Sequence, residues 1–292
     1  MNYKEKYQQW LSFDEDTKAE LSAITDEKEI EDRFYKDLAF GTGGLRGIMG
    51  AGSNRMNKYT VGKATYGLSK YIKAKNDGEL SVVLAYDSRN NSAYFAKVAA
   101  DIFSGQGFKV YLFEFLVPVP VLSFATSYLG CTAGVMLTAS HNPKEYNGYK
   151  AYWEDGAQIS LEQAEIVSRE RARFDVLDTD AIACYDDAVR SGIIVELGAD
   201  FDERYLSAVA ATAINPDAVS DVSDELKVVY TPLHGAGYKL VPEVFKRVGL
   251  KQLYTVDSQM IPDGNFPTAP YPNPEIKQVF ECALEMTKTE KA

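Results

Sequence analysis

Histidine and cysteine are scarce, with two and three copies in 292 residues. Cys131, Cys184 and Cys282 are odd in number and far apart, which argues against a disulfide framework or a zinc site and fits a reducing compartment. The opening MNYKEKYQQWLSFDEDTKAE is charged where a secretory leader needs an apolar core, so a cytoplasmic protein is expected. Long apolar runs are also missing. The richest stretch, 111–130, is broken by Glu114, Pro118 and Pro120, and reads as strand, loop and helix rather than a membrane span. Positive charge is in deficit, 31 Lys and Arg against 42 Asp and Glu, a formal net charge of −11. That balance argues against a general nucleic-acid binder or a binder of anionic membranes, both of which need a cationic surface. A small anionic substrate would need locally clustered cations.

What is present suits a folded enzyme-sized protein, since 46% of the residues are hydrophobic and the length allows two ordinary domains. Residues 1–40 predict short amphipathic helices, with Trp10 and Leu11 anchoring the first and Ile30, Phe34, Tyr35 and Leu38 recurring at helical spacing. From Ser81 the pattern alternates. SVVLAY (81–86) reads as a buried strand, the following segment as a turn and a helix closed by Gly105 and Gly107, and FKVYLFEF (108–115) as the next strand. The same order recurs weakly in residues 226–257, so a duplicated α/β domain with right-handed crossovers and helices on both sheet faces is expected. The division is an N-terminal helical extension over 1–40, a first domain over 41–195 and a second over 196–292.

Two stretches carry chemistry. GTGGLRG (41–47) has the wrong spacing for a dinucleotide fingerprint, and no Walker-type phosphate loop occurs anywhere. Its bare backbone N–H groups and the Arg46 guanidinium could hold an anion, or its glycines could serve only a connector. TASHNPKEYNGYK (138–150) follows the strand-like GVMLTA, which puts Ser140 at a strand's carboxyl end, where open α/β sheets bind ligands. The same residues also suit an ordinary turn, with His141 a satisfied polar side chain. A serine-hydrolase triad is disfavoured, because no Gly-x-Ser-x-Gly elbow is present and the adjacent His141 is poorly placed to activate Ser140.

TASHNPKEYNGYK resembles the active-serine signature of the α-D-phosphohexomutases, the phosphoglucomutase and phosphomannomutase family, and GTGGLRG resembles that family's N-terminal arginine loop. YTPLHGAG (230–237) and PDGNFPTAPYPNPE (262–275) resemble its second domain, and the extended start resembles the longer phosphoglucomutase branch. The resemblance implies repeated three-layer α/β/α domains with mixed, mostly parallel sheets. It implies that Ser140 carries the transferred phosphoryl group, that Lys150 is general acid or base, and that Arg46 and His141 stabilise or orient the phosphoryl group. Asn142, Lys144 and Asn147 are the expected substrate-binding residues. A lysine among cations can have its pKa lowered toward neutrality, and positioned donors help most where negative charge develops.

The implied cofactors are Mg²⁺, bound in part through the Ser140 phosphate, and glucose 1,6-bisphosphate as activator and intermediate. The family's Asp-x-Asp-x-Asp-Arg metal loop does not occur in this sequence. Asp178-Thr179-Asp180 lacks a third carboxylate and an arginine and reads as solvated surface. The family's third and fourth domains are missing as well, so an N-terminal portion of a four-domain mutase is expected. HGAG stands where the family more often has HGTG, which removes a hydroxyl and a helix cap at Ala236. Two classes stay open: a phosphoglucomutase acting on a phosphosugar, with phosphomannomutase or phosphopentomutase as variants, and a non-catalytic binding chain of the same fold.

Overall fold

The computed structural model describes residues 1–41, 43–174, 182–215 and 217–292. The chain opens with three eight-residue helices, α1 (Tyr3–Trp10), α2 (Glu15–Ser22) and α3 (Glu27–Phe34), each begun by a side-chain cap from Asn2, Asp14 or Asp26. Such caps satisfy N–H groups that lack a partner in the first turn. Too short to persist alone, these helices are held by a small core of Trp10, Leu21, Phe34 and Ala51. Burying side chains of this size contributes about 1.5–3 kcal/mol each. Arg33 locks the group by donating to Glu20 at 2.6 Å, Glu29 at 2.8 Å and the Ala51 carbonyl at 2.9 Å.

The first domain is a six-stranded sheet. Its members in chain order are β1 (Leu45–Ile48), α4 (Lys58–Lys75), β2 (Ser81–Tyr86), α5 (Ser92–Gly105), β3 (Lys109–Phe113), α6 (Val119–Tyr128), β4 (Ala133–Leu137), β5 (Tyr146–Trp153), α7 (Leu161–Arg171), α8 (Tyr185–Arg190) and β6 (Ile194–Leu197). The strands lie in the order β1-β5-β4-β2-β3-β6. β4, β2, β3 and β6 run parallel, while β5 pairs antiparallel with both β4 and β1. SVVLAY is continuous in apolar residues because a parallel strand at the centre is covered on both faces. One face packs on α4, α5 and α7 in a core that includes Leu68, Phe103, Val135 and Tyr149.

The other face packs on α6 and on helices that follow the sheet. The chain leaves β6 into α9 (Ala199–Ala210) and α10 (Ala218–Val222), then forms β7 (Lys227–Tyr230), α11 (Leu240–Arg247), β8 (Gln252–Thr255), α12 (Asp257–Met260) and α13 (Glu281–Glu290). β7 and β8 make a separate two-stranded parallel sheet, the recurring strand-helix-strand unit expected from residues 226–257. Phe201 and Leu206 of α9 and Leu240 of α11 share one core with Val83, Phe113, Leu122, Met136 and Tyr152 of the first domain. The sequence expectation divided the chain after residue 195; the structure keeps residues through Leu197 in the first sheet, where Leu197 pairs with Phe113.

β2 continues through α5 to β3, whereas β4 turns back through a hairpin into β5, so connections leave these two neighbours in opposite directions. The carboxyl ends of β2 and β4 thus meet at a topological switch point, where such sheets form a crevice. At that end Gly148 of β5 leaves no room for a side chain, since a Cβ there would stand 2.5 Å from the Thr138 carbonyl oxygen and 2.9 Å from that of Leu45. Gly148→Ala is expected to lower unfolding free energy in urea by about 1–3 kcal/mol through overpacking, whereas Gly78→Ala, in open space, stays within about 0.5 kcal/mol. Equal stability of the two variants would show that the hairpin is loosely packed.

Candidate active site

Ser140 stands three residues beyond the end of β4, exposed, with φ +58°. The left-handed region costs a non-glycine residue about 1–2 kcal/mol, so the turn needs compensating bonds. The first is a relay from β2. Thr138 Oγ1 donates to Asp87 Oδ2 at 2.5 Å and accepts the Ser140 N–H at 3.0 Å. Asp87, the first residue after β2, also accepts from Ser92 Oγ at 2.7 Å and from the Arg89 N–H at 2.9 Å. Burial raises its pKa, against the opposing pull of these hydrogen bonds and of the Arg89 charge.

The second is a guanidinium clamp. Arg89 is 3% exposed and donates to four carbonyls of the turn: Nη1 to Pro143 at 2.9 Å and Tyr146 at 3.1 Å, Nη2 to Ser140 at 2.9 Å and Asn142 at 2.5 Å. Its Nε has no hydrogen-bond partner, and Asp87 Oδ2 lies 3.6 Å away. A trans peptide points its N–H opposite to its C=O, and the described residues contain no cis bond. Capture of the Ser140 and Pro143 carbonyls therefore turns the N–H groups of His141 and Lys144 away from Arg89. Outward N–H groups on a tight turn suit an anion.

Strand register brings the remaining cations to the same place. Met136 pairs with Lys150 across β4 and β5, and Gly148 pairs with Arg46 across β5 and β1. Paired residues share a face and alternate residues share a face, so Arg46 and Lys150 lie on the Met136 side of the sheet. Arg46 Nη1 reaches Asn142 Oδ1 at 3.0 Å, which ties the glycine-rich loop to the serine turn. That loop is more than a connector: Gly44 has φ +76° and its Cβ would overlap the Tyr149 carbonyl oxygen. Burial lowers the pKa of Lys150, the Arg46 charge lowers it further, and Asp87 works the other way. His141 Nδ1 lies 3.3 Å from Ser140 Oγ.

Of the residues singled out from the sequence, Ser140, His141, Arg46, Asn142 and Lys150 converge, and Lys144 is exposed in the same turn. Asn147 does not join them. It is fully buried on the opposite face, where its amide donates to the Asn90 carbonyl at 2.9 Å and Ser92 Oγ at 3.0 Å, so it braces the turn instead of facing a substrate. Sequence reasoning passed over Asp87 and Arg89. The available signal was an aspartate and an arginine directly after a buried parallel strand, at the sheet end where ligands bind.

The second domain closes the far side of a cleft of about 340 Å³, with Ser140, His141 and Asp87 on one wall and Pro232, Gly235 and Phe266 on the other. Phe266 lies under the Arg89 guanidinium, 5.3 Å from ring centre to Cζ. Asn90 donates to Asn265 at 3.2 Å, and a Cβ on Gly264 would stand 2.4 Å from the Asn90 nitrogen, so only glycine allows this approach. His234 is buried, with Nδ1 2.9 Å from the Ile261 carbonyl and Nε2 2.9 Å from Thr268 Oγ1. A carbonyl partner requires the Nδ1–H tautomer, which makes His234 a pin for the second domain's loops.

No three His, Cys, Asp or Glu side chains converge on a metal position among the described residues. Asp178 and Asp180 lie outside those residues, and Asp87 is committed to Thr138, Ser92 and Arg89. The described residues do not by themselves make a magnesium site.

An exposed serine on an arginine-clamped turn, with Arg46 and a pKa-lowered Lys150 on the same sheet face, lies at the switch point of a three-layer α/β/α domain. Residues 37–175 match the phosphoglucomutase/phosphomannomutase α/β/α domain I and residues 203–292 match domain II. The chain belongs to the phosphoglucomutase/phosphomannomutase family, as its serine turn implied. It is 36% identical over 270 residues to the phosphoglucomutase of Staphylococcus haemolyticus, covering 87% of this chain and 45% of that protein. It is 33% identical over 276 residues to the phosphoglucomutase of Staphylococcus aureus strain N315, covering 91% and 47%. A Thermus thermophilus protein provisionally named a phosphomannomutase superposes with TM-score 0.70 at 25% identity, over 86% of this chain and 52% of that one. A phosphoglucomutase/phosphomannomutase family protein of Burkholderia thailandensis shares the fold, with TM-score 0.67 at 22% identity, over 88% and 51%. The chain thus spans about half the length of the relatives it matches. Among the described residues no helix is long and apolar enough to cross a membrane.

The electrostatics give a direct test. Because the Arg46 charge depresses the Lys150 pKa, Arg46→Gln is expected to raise it, read by NMR titration of ¹³C-methylated Lys150. A Lys150 pKa that stays put or falls in the variant would mean that the two cations do not share a site.

Proposed function

We propose that this chain supplies the phosphoryl-carrying half of a phosphoglucomutase, which interconverts glucose 1-phosphate and glucose 6-phosphate through phosphorylated Ser140 and a glucose 1,6-bisphosphate intermediate. The observation that carries the reading is the convergence of Arg46 and Lys150 on the turn in which Ser140 is held with its N–H groups outward. A sugar hydroxyl attacks the phosphoserine phosphorus and passes its proton to Lys150, whose pKa is lowered by burial and by the Arg46 charge. The bond from Ser140 Oγ to phosphorus breaks as the new sugar oxygen–phosphorus bond forms, and the exposed serine oxygen takes a proton from solvent while Lys150 releases its own to solvent; His141 Nδ1 lies 3.3 Å from that oxygen. The reverse sequence at the other end of the bisphosphate returns a phosphoryl group to Ser140.

Each protein group has one task here. Arg46 and the outward N–H groups face charge that spreads over the transferring oxygens, where positioned donors are most effective. Lys150 can serve as a base because burial and Arg46 favour its neutral form. Mg²⁺ would further offset the phosphoserine charge, although the described residues gather no ligand set for it. The partner is a small phosphosugar and the expected compartment the cytoplasm.

Incubation with glucose 1,6-bisphosphate is expected to add one phosphoryl mass on Ser140, and Ser140→Ala to abolish that addition. Phosphorylation retained in Ser140→Ala would remove the serine from the mechanism. In a protein spanning the full length of its relatives, Lys150→Met is expected to cut kcat by roughly 10²-fold or more, with KM changed much less. A near-normal kcat would assign the proton to another group.

A further inference from the structure

Away from the serine cleft, the helical extension leaves a second cleft of about 480 Å³ where α1 meets α4 and α7. Its size is that of a small-molecule site. Trp10, Leu38 and Tyr59 form an apolar wall, and Trp10 is fixed edge-on against Tyr59 and Phe34, with ring centroids at 5.2 and 5.6 Å. The same cleft is lined by Lys6, Lys63 and Arg171, with one carboxylate, Asp37.

The cations are brought together by helix packing. A Cβ on Gly67 of α4 would lie 2.9 Å from both the nitrogen and the Cβ of Arg171, so glycine lets α7 press directly on α4 there. Lys63 precedes Gly67 by four residues and occupies the same helix face, beside Arg171. Lys6 pairs with Asp37 at 2.8 Å. Lys63 and Arg171 have no carboxylate within 4.0 Å among the described residues. Burial lowers the Arg171 pKa, only partly countered by Asp37. Three cations around one carboxylate leave two positive charges in a partly buried cleft of a protein whose net charge is −11. Like charges brought together out of water cost stability unless an anion offsets them.

We propose that this cleft binds a phosphomonoester carrying a flat apolar ring, with the phosphate between Lys63 and Arg171 and the ring against Trp10 and Tyr59. Two uncompensated positive charges match a phosphomonoester, which carries about −1.5 to −2 at neutral pH, better than a carboxylate monoanion. Arg171 offers paired N–H donors and Lys63 a point charge, the two usual ways of holding phosphate. The aromatic wall accounts for selection of a ring over the sugar phosphates of the serine cleft.

The probe is adenosine 5′-monophosphate, titrated against the protein in a Trp153→Phe background. The sequence has only two tryptophans, so emission then reports Trp10 alone. Saturable quenching is expected, with adenosine and inorganic phosphate each binding at least about tenfold more weakly, as loss of either contact implies. Lys63→Gln and Arg171→Gln should each weaken binding about tenfold while the melting temperature confirms the fold, and Ser140→Ala should leave binding unchanged. No saturation up to about 10 mM, affinity unaltered in both glutamine variants, or binding lost in Ser140→Ala would each overturn the proposal. So would equal affinity for adenosine or for inorganic phosphate.

Discussion

A guanidinium excluded from water has to find acceptors, and Arg89 finds four of them in the backbone of the turn that carries Ser140. Hydrogen bonds from a charged donor contribute about 1.5–3 kcal/mol each, more than the roughly 1–2 kcal/mol that a left-handed serine costs. The strained turn persists because the clamp outweighs its strain. The same bonds decide the turn's chemistry: with its carbonyls drawn to Arg89, it presents N–H groups on the opposite side, and an anion is the natural ligand there. Asp87 keeps the arginine company and, through Thr138, fixes the serine N–H.

Arg89 also links the two domains. Its other face rests on Phe266, and the neighbouring Asn90 meets Asn265 across a contact that needs Gly264. A shift of the second domain would therefore be felt at the serine turn through a rigid side chain rather than a flexible linker. The shared core of Phe201, Leu206 and Leu240 with the first sheet works in the same direction. His234 and Gln259 brace the facing loops by hydrogen bonds to Thr268, Ile261 and Thr231, so the second-domain wall of the cleft also rests on a buried polar network.

Much of this was legible in residues. SVVLAY predicts a buried strand and forms β2 over the same six residues; the strand ahead of TASHNP forms β4, and its serine is exposed at the carboxyl end. Those readings hold because period and turn chemistry are local. The pairing of Arg46 with Gly148, 102 positions on, is set by sheet register, which no local pattern encodes. The burial of Asn147 was hidden from the sequence for a related reason. Period two places Asn147 on the face opposite Gly148, but what packs on that face depends on the whole sheet, and its side chain meets Asn90 and Ser92. Arg89 was missed because a charged residue after a strand looks like ordinary surface until its burial is known.

The claim that most depends on one interaction is that Arg89 holds the serine turn. Hydrogen–deuterium exchange of the Ser140, Asn142 and Tyr146 amides, all hydrogen-bonded within the turn, reads it directly in the protein and in Arg89→Lys, which keeps the charge but not the fork of donors. The clamp predicts that these three amides lose protection by roughly tenfold or more in the variant while those of β2 and β4 keep theirs. Unchanged protection of the turn in a folded Arg89→Lys protein would contradict it.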